Sequence, residues 1–359
     1  MNAENYISYA NDSCIRNSYF HNSCSNCVSI CPENVFSVVQ NRIKMDSQLC
    51  TFCSACLGTC PTEAIQINSI DPNRETLYFK YHSNDILDCK DKTECLSRFD
   101  SHHFAIMRFN RENLSVDLSS CSTCQLSNEL NNLEESIILR LQESNKILDI
   151  LNISKIGIIQ EKAIANNKSK ILMFAKLRNS LATVSKIAKI SENEKFEIES
   201  KLNKPNYLKK MYPIKHKLFV SEIRKIKRFE ELKEINRTDK LLATRNIDMK
   251  NCTNCGDCAT FCPTGAIFIS SDKLSIWISS NQCISCGICD HICKVGAIQS
   301  PEKFPNERMY RAEELVKFHF ETCIECKTPF IQRGDEVICD RCRDFVRDFS
   351  DIFKLARDL

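Results

Sequence analysis

Cys252-x2-Cys255-x2-Cys258-x3-Cys262-Pro263, followed by Cys283-x2-Cys286-x2-Cys289-x3-Cys293, is the stretch that decides how the rest of the chain is read. One metal-ligand spacing is written twice, and each copy runs into Gly-Ala-Ile, at Gly265-Ala266-Ile267 and Gly296-Ala297-Ile298. Cysteines in Cys-x2-Cys groups supply soft thiolates, which suit iron and zinc better than a disulfide framework. A third full copy, Cys50-x2-Cys53-x2-Cys56-x3-Cys60-Pro61, lies near the N-terminus. Just before it stands Cys24-x2-Cys27-x3-Cys31-Pro32, the same motif without its first member. The regular first position is His21, and a spare cysteine, Cys14, lies ten residues before Cys24.

These runs resemble the bacterial dicluster ferredoxins, whose modules hold two [4Fe-4S] cubanes, here repeated in a polyferredoxin-like chain. The resemblance covers residues 14–67 and 252–298, extends weakly to 89–124, and does not reach the basic helices. It implies crossed ligation, in which the fourth cysteine of each motif serves the other cluster. One N-terminal cluster then takes Cys50, Cys53, Cys56 and Cys31, and the other takes Cys24, Cys27, Cys60 and one more ligand. That ligand is Cys14, favoured as a thiolate, or His21; a three-iron cluster would need neither. In the second module, Cys252, Cys255, Cys258 and Cys293 hold one cluster, and Cys283, Cys286, Cys289 and Cys262 the other. Lys294 stands where the family has proline. Gly256 and Gly287 follow the second cysteine of their motifs, where the backbone must bend around sulfur. Hairpins are expected between paired motifs, with strands Val35–Val39 and Arg42–Met45 in the first module, and Ala266–Ile269 and Leu274–Ile278 in the second.

Between the modules lie Cys89-x5-Cys95 and Cys121-x2-Cys124. They flank a helix around Phe104–Met107 and a strand at Leu114–Leu118, a small α/β unit with cysteines past its strand ends. Four cysteines converging there would make a further metal site, with iron–sulfur favoured over zinc by its neighbours; otherwise Cys89 and Cys95 are apolar core residues. Thr76–Tyr81 reads as extended. Adjacent helical residues point about 100° apart, so His102 and His103 are expected on the surface.

From Glu129 the pattern turns helical, with Leu130, Leu133, Ile137, Leu141, Leu148 and Leu151 on one face. A second helix carries Phe174, Leu177, Leu181, Val184 and Ala188, and Pro213 opens a third with Lys215, Lys217, Arg224, Lys225, Lys227 and Arg228. Residues 151–250 hold 24 Lys/Arg and 11 Asp/Glu, a balance of +13 against −10 for the remainder. Such helices suit docking on an anionic membrane surface or an acidic partner, or serve as a spacer with a solvated charged face. No nucleic-acid reader motif accompanies the charge.

Cys323-x2-Cys326 and Cys339-x2-Cys342 form paired knuckles like those of a zinc ribbon, with the hairpin turn expected at Gly334-Asp335. Phe345, Val346, Phe349, Ile352, Phe353 and Leu355 follow on an amphipathic helix.

The 359 residues include 24 cysteines but only seven glycines. No two glycines are spaced as G-x-G, and no glycine-rich phosphate loop is present, which removes the common dinucleotide and ATP signatures. The beginning of the chain shows no basic region followed by an apolar core, so a reducing cytoplasm is expected. The expected architecture is α+β: a dicluster module (1–75), a small α/β four-Cys segment (76–128), a basic helical connector (129–248), a second dicluster module (249–302), and a zinc ribbon with a C-terminal helix (303–359). The expected cofactors are four [4Fe-4S] clusters, zinc at the knuckles, and an additional iron–sulfur cluster if the middle cysteines converge. The expected function is single-electron transfer to or from a redox enzyme partner, as a carrier or an oxidoreductase subunit. The competing reading is a redox-sensing assembly or regulatory factor that binds a client.

Overall fold

The computed structural model describes residues 5–19, 22–79, 85–89, 94–126, 133–160, 210–238, 240–332 and 334–349. They fall into two compact units, one running to Ile223 and the other from Arg224 onward, with Lys210–Tyr212 belonging to the second.

In the first unit, β1 (Ile7–Tyr9), α1 (Ile15–Ser18) and α2 (Asn26–Ile30) precede a hairpin of β2 (Phe36–Val39) and β3 (Arg42–Met45). Val39 faces Arg42 across the two-residue turn Gln40-Asn41. Both turn residues have positive φ, 49° and 60°, as a tight hairpin turn requires. After α3 (Ala55–Thr59), strand β4 (Ile65–Ile67) returns to pair antiparallel with β1, Ile7 opposite Ile67. Ile7, Ile30, Val35, Phe36, Ile43, Ala55, Ile65 and Ile67 belong to a buried core that continues into the elements that follow.

The chain then enters α4 (Pro72–Phe79). This corrects the extended reading over Thr76–Phe79, while Lys80 and Tyr81 lie outside the described residues. Asp71 accepts from the N–H groups of Asn73 (3.0 Å) and Arg74 (3.2 Å), and Pro72 occupies the first helical position. Those start signals outweigh the β-favouring side chains that follow.

Beyond it, β5 (Ile86–Leu87), α5 (Ser101–Phe109), β6 (Ser115–Asp117), α6 (Leu133–Ile150) and β7 (Gly157–Ile159) alternate. The strands make a parallel sheet in chain order. Helix α6 buries Leu133, Ile137, Leu141 and Leu148, the face its periodicity indicates, while α7 (Ile214–Ile223) packs on α5. The expected helix at Phe174–Ala188 lies outside the described residues.

Helix α5 is buried along its length from Ser101 to Arg108. His102 and His103 are therefore interior, contrary to expectation: α5 packs against α4, α6 and α7 and keeps no free face. Asp100 caps the helix. Its N–H donates to His103 Nδ1 (2.9 Å), and the other ring nitrogen, Nε2, faces Asn73 Oδ1 at 3.1 Å. Lys215 is likewise turned inward rather than solvated. Its ammonium contacts Asp100 Oδ2 at 2.5 Å and donates to the Cys60 carbonyl at 2.7 Å, with side-chain exposures of 2% for the lysine and 7% for the aspartate.

The second unit repeats the strand plan of the first module. After α8 (Lys227–Glu231) and β8 (Glu234–Asn236) come β9 (Asn246–Ile247), α9 (Asp257–Thr260), the hairpin β10 (Ile267–Ile269) and β11 (Ser275–Ile278), α10 (Ile288–Ile292) and β12 (Ile298–Gln299). Strands β9 and β12 pair antiparallel, as β1 and β4 do. Next, β13 (Lys303–Pro305) pairs with β8, and β14 (Glu313–Lys317) extends the hairpin through β11. A last hairpin joins β15 (His319–Thr322) to β16 (Pro329–Gln332), followed by α11 (Asp340–Phe349). That hairpin turns on the first knuckle, not at Gly334-Asp335. Gly334, at φ +74°, instead leads the chain to the second knuckle.

Two outcomes follow from the buried polar cluster on α5. Removing one member of a buried pair strands its partner's charge, so Lys215→Met is expected to cost about 3–5 kcal/mol in denaturant unfolding. A loss below about 1 kcal/mol would be the signature of an exposed pair instead. Burial, reinforced by Lys215, holds the His103 pKa well below its usual value. The ring therefore stays neutral in the fold but charges in the unfolded chain below about pH 6.5. Protons are taken up on unfolding, so this contribution to stability is complete above that pH and is lost as pH falls below it. His103→Gln should flatten the pH dependence in that range.

Candidate metal centres

The backbone repeats at each full motif before any side chain is considered. Phe52 and Ser54, Asn254 and Gly256, and Ser285 and Gly287 all have positive φ, bracketing the second cysteine of their motif. Alternating hand turns successive N–H groups inward into an anion-binding concavity. At Gly256 a side chain would also meet Ile269 Cδ1 at 2.8 Å. The fourth cysteines share a second device. Asn34, Glu63, Gly265 and Gly296, each three residues on, all have positive φ. In three motifs the next N–H donates back to sulfur: Val35 to Cys31 (3.4 Å), Ala64 to Cys60 (3.2 Å) and Ala297 to Cys293 (3.2 Å). In the remaining one, Thr264 Oγ1 lies 3.7 Å from Cys262 Sγ.

The structure brings the cysteines together in crossed sets. Cys56 is raised well above an ordinary thiol by burial and then by Cys53, Cys31 and Cys50. A cavity walled by Ile7, Phe36, Ala55 and Ile67 opens onto those same four cysteines. Cys27 is raised to about 12 by burial, then by Cys60, Cys24 and Cys14. In the second unit, burial followed by Cys252 and Cys255 raises Cys258 to about 12, with Cys293 also adding to the repulsion. Cys286 rises to about 12 through burial, with Cys283 and Cys262 adding to it. Four crowded thiols cannot all ionise unless positive charge stands between them, which is what a cationic iron–sulfide core supplies.

His21 lies outside the described residues, but Cys14 has the backbone of a first-position cysteine. Cys50 and Cys283 each follow a 3-10 turn and sit at φ −78°, ψ 121° and φ −77°, ψ 116°. Cys14 follows the 3-10 turn Asn11–Ser13 at φ −78°, ψ 121°. The chain between Cys14 and Cys24 is tied down by Arg16, which donates to the Ser23 and Cys24 carbonyls (both 3.0 Å) and to Asn41 Oδ1 (2.7 Å). At the incomplete motif Ser25 has φ −135°, so the bend that Ser54, Gly256 and Gly287 make after the second cysteine is missing there.

The C-terminal knuckles are tighter. The sulfurs of Cys323, Cys326, Cys339 and Cys342 lie within 4.8 Å of one another, the one such group among the described residues. Cys326 and Cys339 sulfurs are 3.7 Å apart, close to the ~3.8 Å edge of a tetrahedron with Zn–S bonds of about 2.3 Å. Burial raises the Cys323 thiol, but N–H groups of Cys339, Cys326 and Glu325 outweigh it and lower it overall. The set fits a single closed tetrahedral ion.

Residues 22–65 match a family described as a 4Fe-4S dicluster domain, and residues 244–299 match a second family of the same description. The chain carries two 4Fe-4S dicluster domains. No curated protein is significantly similar to the chain.

Three functional neighbours of these dicluster domains were not anticipated: Lys215, Lys210 and Arg245. Lys215 reaches the Cys60 carbonyl, and Lys210 reaches those of Cys262 (2.7 Å), Thr260 (2.6 Å) and Ala259 (3.1 Å). Arg245 forms a two-pronged bond to Asp290, and its guanidinium lies close enough to Cys283 and Cys289 to feel their charge. Lys294, the charge singled out by the departure from the family pattern, is exposed. A nearby fixed cation favours an added electron. Arg245→Met is expected to leave iron content unchanged and shift the midpoint of one C-terminal cluster to lower potential in a redox-titrated EPR experiment.

Proposed function

We propose that this protein relays single electrons through four [4Fe-4S] clusters, two per dicluster domain, to or from a redox enzyme partner. What supports the reading is that cysteines of paired motifs lie close enough to raise one another's thiols: Cys31 with Cys50, Cys53 and Cys56, Cys60 with Cys24 and Cys27, Cys293 with Cys258, and Cys262 with Cys286. Their ligands are those of the crossed plan, with Cys14 completing the set of Cys24, Cys27 and Cys60. Its backbone and its place beside Tyr9, whose phenol is raised by burial and by a hydrogen bond with Cys14, support that choice.

When bound, a cubane accepts or gives one electron. The chain's part is to hold the core, exclude water and set its potential through N–H···S bonds and nearby cations. Val35, Ala64 and Ala297 supply such bonds, and Lys215, Lys210 and Arg245 supply the charge. The closed C-terminal site holds zinc in a structural role. All 24 cysteines are unpaired, which suits a reducing cytoplasm. No helix among the described residues is long and apolar enough to cross a membrane.

Anaerobic protein should contain about sixteen irons in these four sets and one zinc, and near four irons would refute the two-domain relay. Reduction by a low-potential donor, then oxidation by a supplied acceptor, should cycle the cluster spectra; clusters that alter client binding without turnover would mark a sensor instead. Cys14→Ala should lose up to about four irons, and retention of full iron would remove Cys14 from the ligand set.

A further inference from the structure

Cys89, Cys95, Cys121 and Cys124 belong to neither dicluster domain, and they converge within the first unit. Strands β5 and β6 are parallel neighbours, with Leu87 opposite Val116. Cys89 follows β5 by two residues, and Cys121 follows β6 by four. Both therefore stand at the carboxyl end of the sheet, where open α/β folds place their ligands. Cys95 lies at the start of the 3-10 turn Leu96–Arg98 and accepts from the Ser97 N–H at 3.4 Å. Cys124 ends the turn Cys121–Thr123 at φ −75°, ψ 125°, the backbone of Cys14, Cys50 and Cys283. The four also sense one another. Burial followed by Cys89 and Cys95 raises Cys121 to about 12, and Cys124 adds to it. Burial raises Cys89, with Cys124 the next cause.

Two buried guanidinium groups back this loop. Arg98 donates to the carbonyls of Cys95 (3.1 Å) and Glu94 (3.3 Å), and Arg140 to those of Ser97 (2.5 Å) and Phe99 (3.0 Å). Arg140 is near enough to Cys95 to feel its charge. Buried cations beside four thiols suit a centre that is anionic when loaded.

The spacing separates two kinds of centre. A single tetrahedral ion draws four sulfurs onto one atom, as at the C-terminal knuckles. The middle four, like the dicluster cysteines, do not bring three sulfurs within 4.8 Å. Thiolates held on separate irons stand farther apart.

We infer that Cys89, Cys95, Cys121 and Cys124 bind an additional iron–sulfur cluster, in electron-transfer contact with the cubane held by Cys31, Cys50, Cys53 and Cys56. The contact is the 2.9 Å hydrogen bond from the Cys95 N–H to the Cys53 carbonyl, which joins a ligand of one centre to a ligand of the other. Gly58 keeps this approach close: a side chain there would meet the Ser97 carbonyl at 2.5 Å. One electron crosses, oxidising one centre by one and reducing the other by one, with no bond made or broken. The inference rests on the relay reading only for that neighbouring cubane.

The test compares full-length wild type with Cys121→Ser/Cys124→Ser, both purified anaerobically. The variant should lose about two to four irons with matching sulfide, according to cluster type, and keep its zinc. The EPR signal of the neighbouring reduced cubane should lose the spin-coupling broadening seen in wild type. Loss of zinc in place of iron, or no loss of either, would overturn the assignment. Should the variant fail to fold, reductive titration of wild type decides: uptake of five electrons per chain supports the site, and four electrons with about sixteen irons removes it. If the cubanes of the dicluster domains were themselves missing, wild-type iron would fall far below sixteen while the wild-type-to-variant difference persisted.

Discussion

Charge crowding among neighbouring cysteines is the constraint on which this molecule turns. In the dicluster domains, burial and the charge of nearby cysteines push Cys56, Cys27 and Cys286 up. The thiols of such a set ionise together only where positive charge stands among them. Other features near the dicluster cysteines work in the same direction: left-handed backbone turns N–H groups inward, other N–H groups donate directly to sulfur, and Lys215 and Lys210 donate to the carbonyls of Cys60 and Cys262. The apolar core of the first module is continuous with that of the α/β segment, joining Ile7, Phe36 and Ile67 to Leu96, Phe104 and Leu141.

Much of this was legible in the cysteine spacing. Three full motifs and one defective one predict four sets, and the hairpins between motifs appear where alternation and turn residues place them. What stayed hidden has physical reasons. Strands β1 and β9 are only three and two residues long, too short for periodicity, and each is defined only by a partner far along the chain. His102 and His103 looked like surface residues because one helix face was assumed free, and only the packing of three helices around α5 shows otherwise. Lys215 was counted among solvated charges because a sequence carries no sign that Asp100 waits more than a hundred residues upstream.

That inward lysine changes how the basic stretch is understood. Lys210, Lys215 and Arg245 all belong to its excess of positive charge, and all three reach backbone or charge at a motif cysteine. Part of the excess thus offsets the anionic centres locally. On α8, Lys227 and Arg228 remain exposed.

The defective motif is the hardest feature to reconcile with a fold that repeats itself, and loop entropy explains why it is tolerated. Moving the first ligand from the His21 position to Cys14 lengthens the intervening chain from two residues to nine. Closure entropy grows slowly, about 0.6 kcal/mol per doubling, so roughly two doublings cost little over 1 kcal/mol. Against that stands Arg16, buried at 9% exposure, whose guanidinium ties the insertion to the Cys24 loop and to the hairpin turn at Asn41. Charge-assisted bonds of this kind are worth about 1.5–3 kcal/mol each to a charged donor. The longer loop is therefore tied to its surroundings beside Cys14, and the module keeps its strand plan.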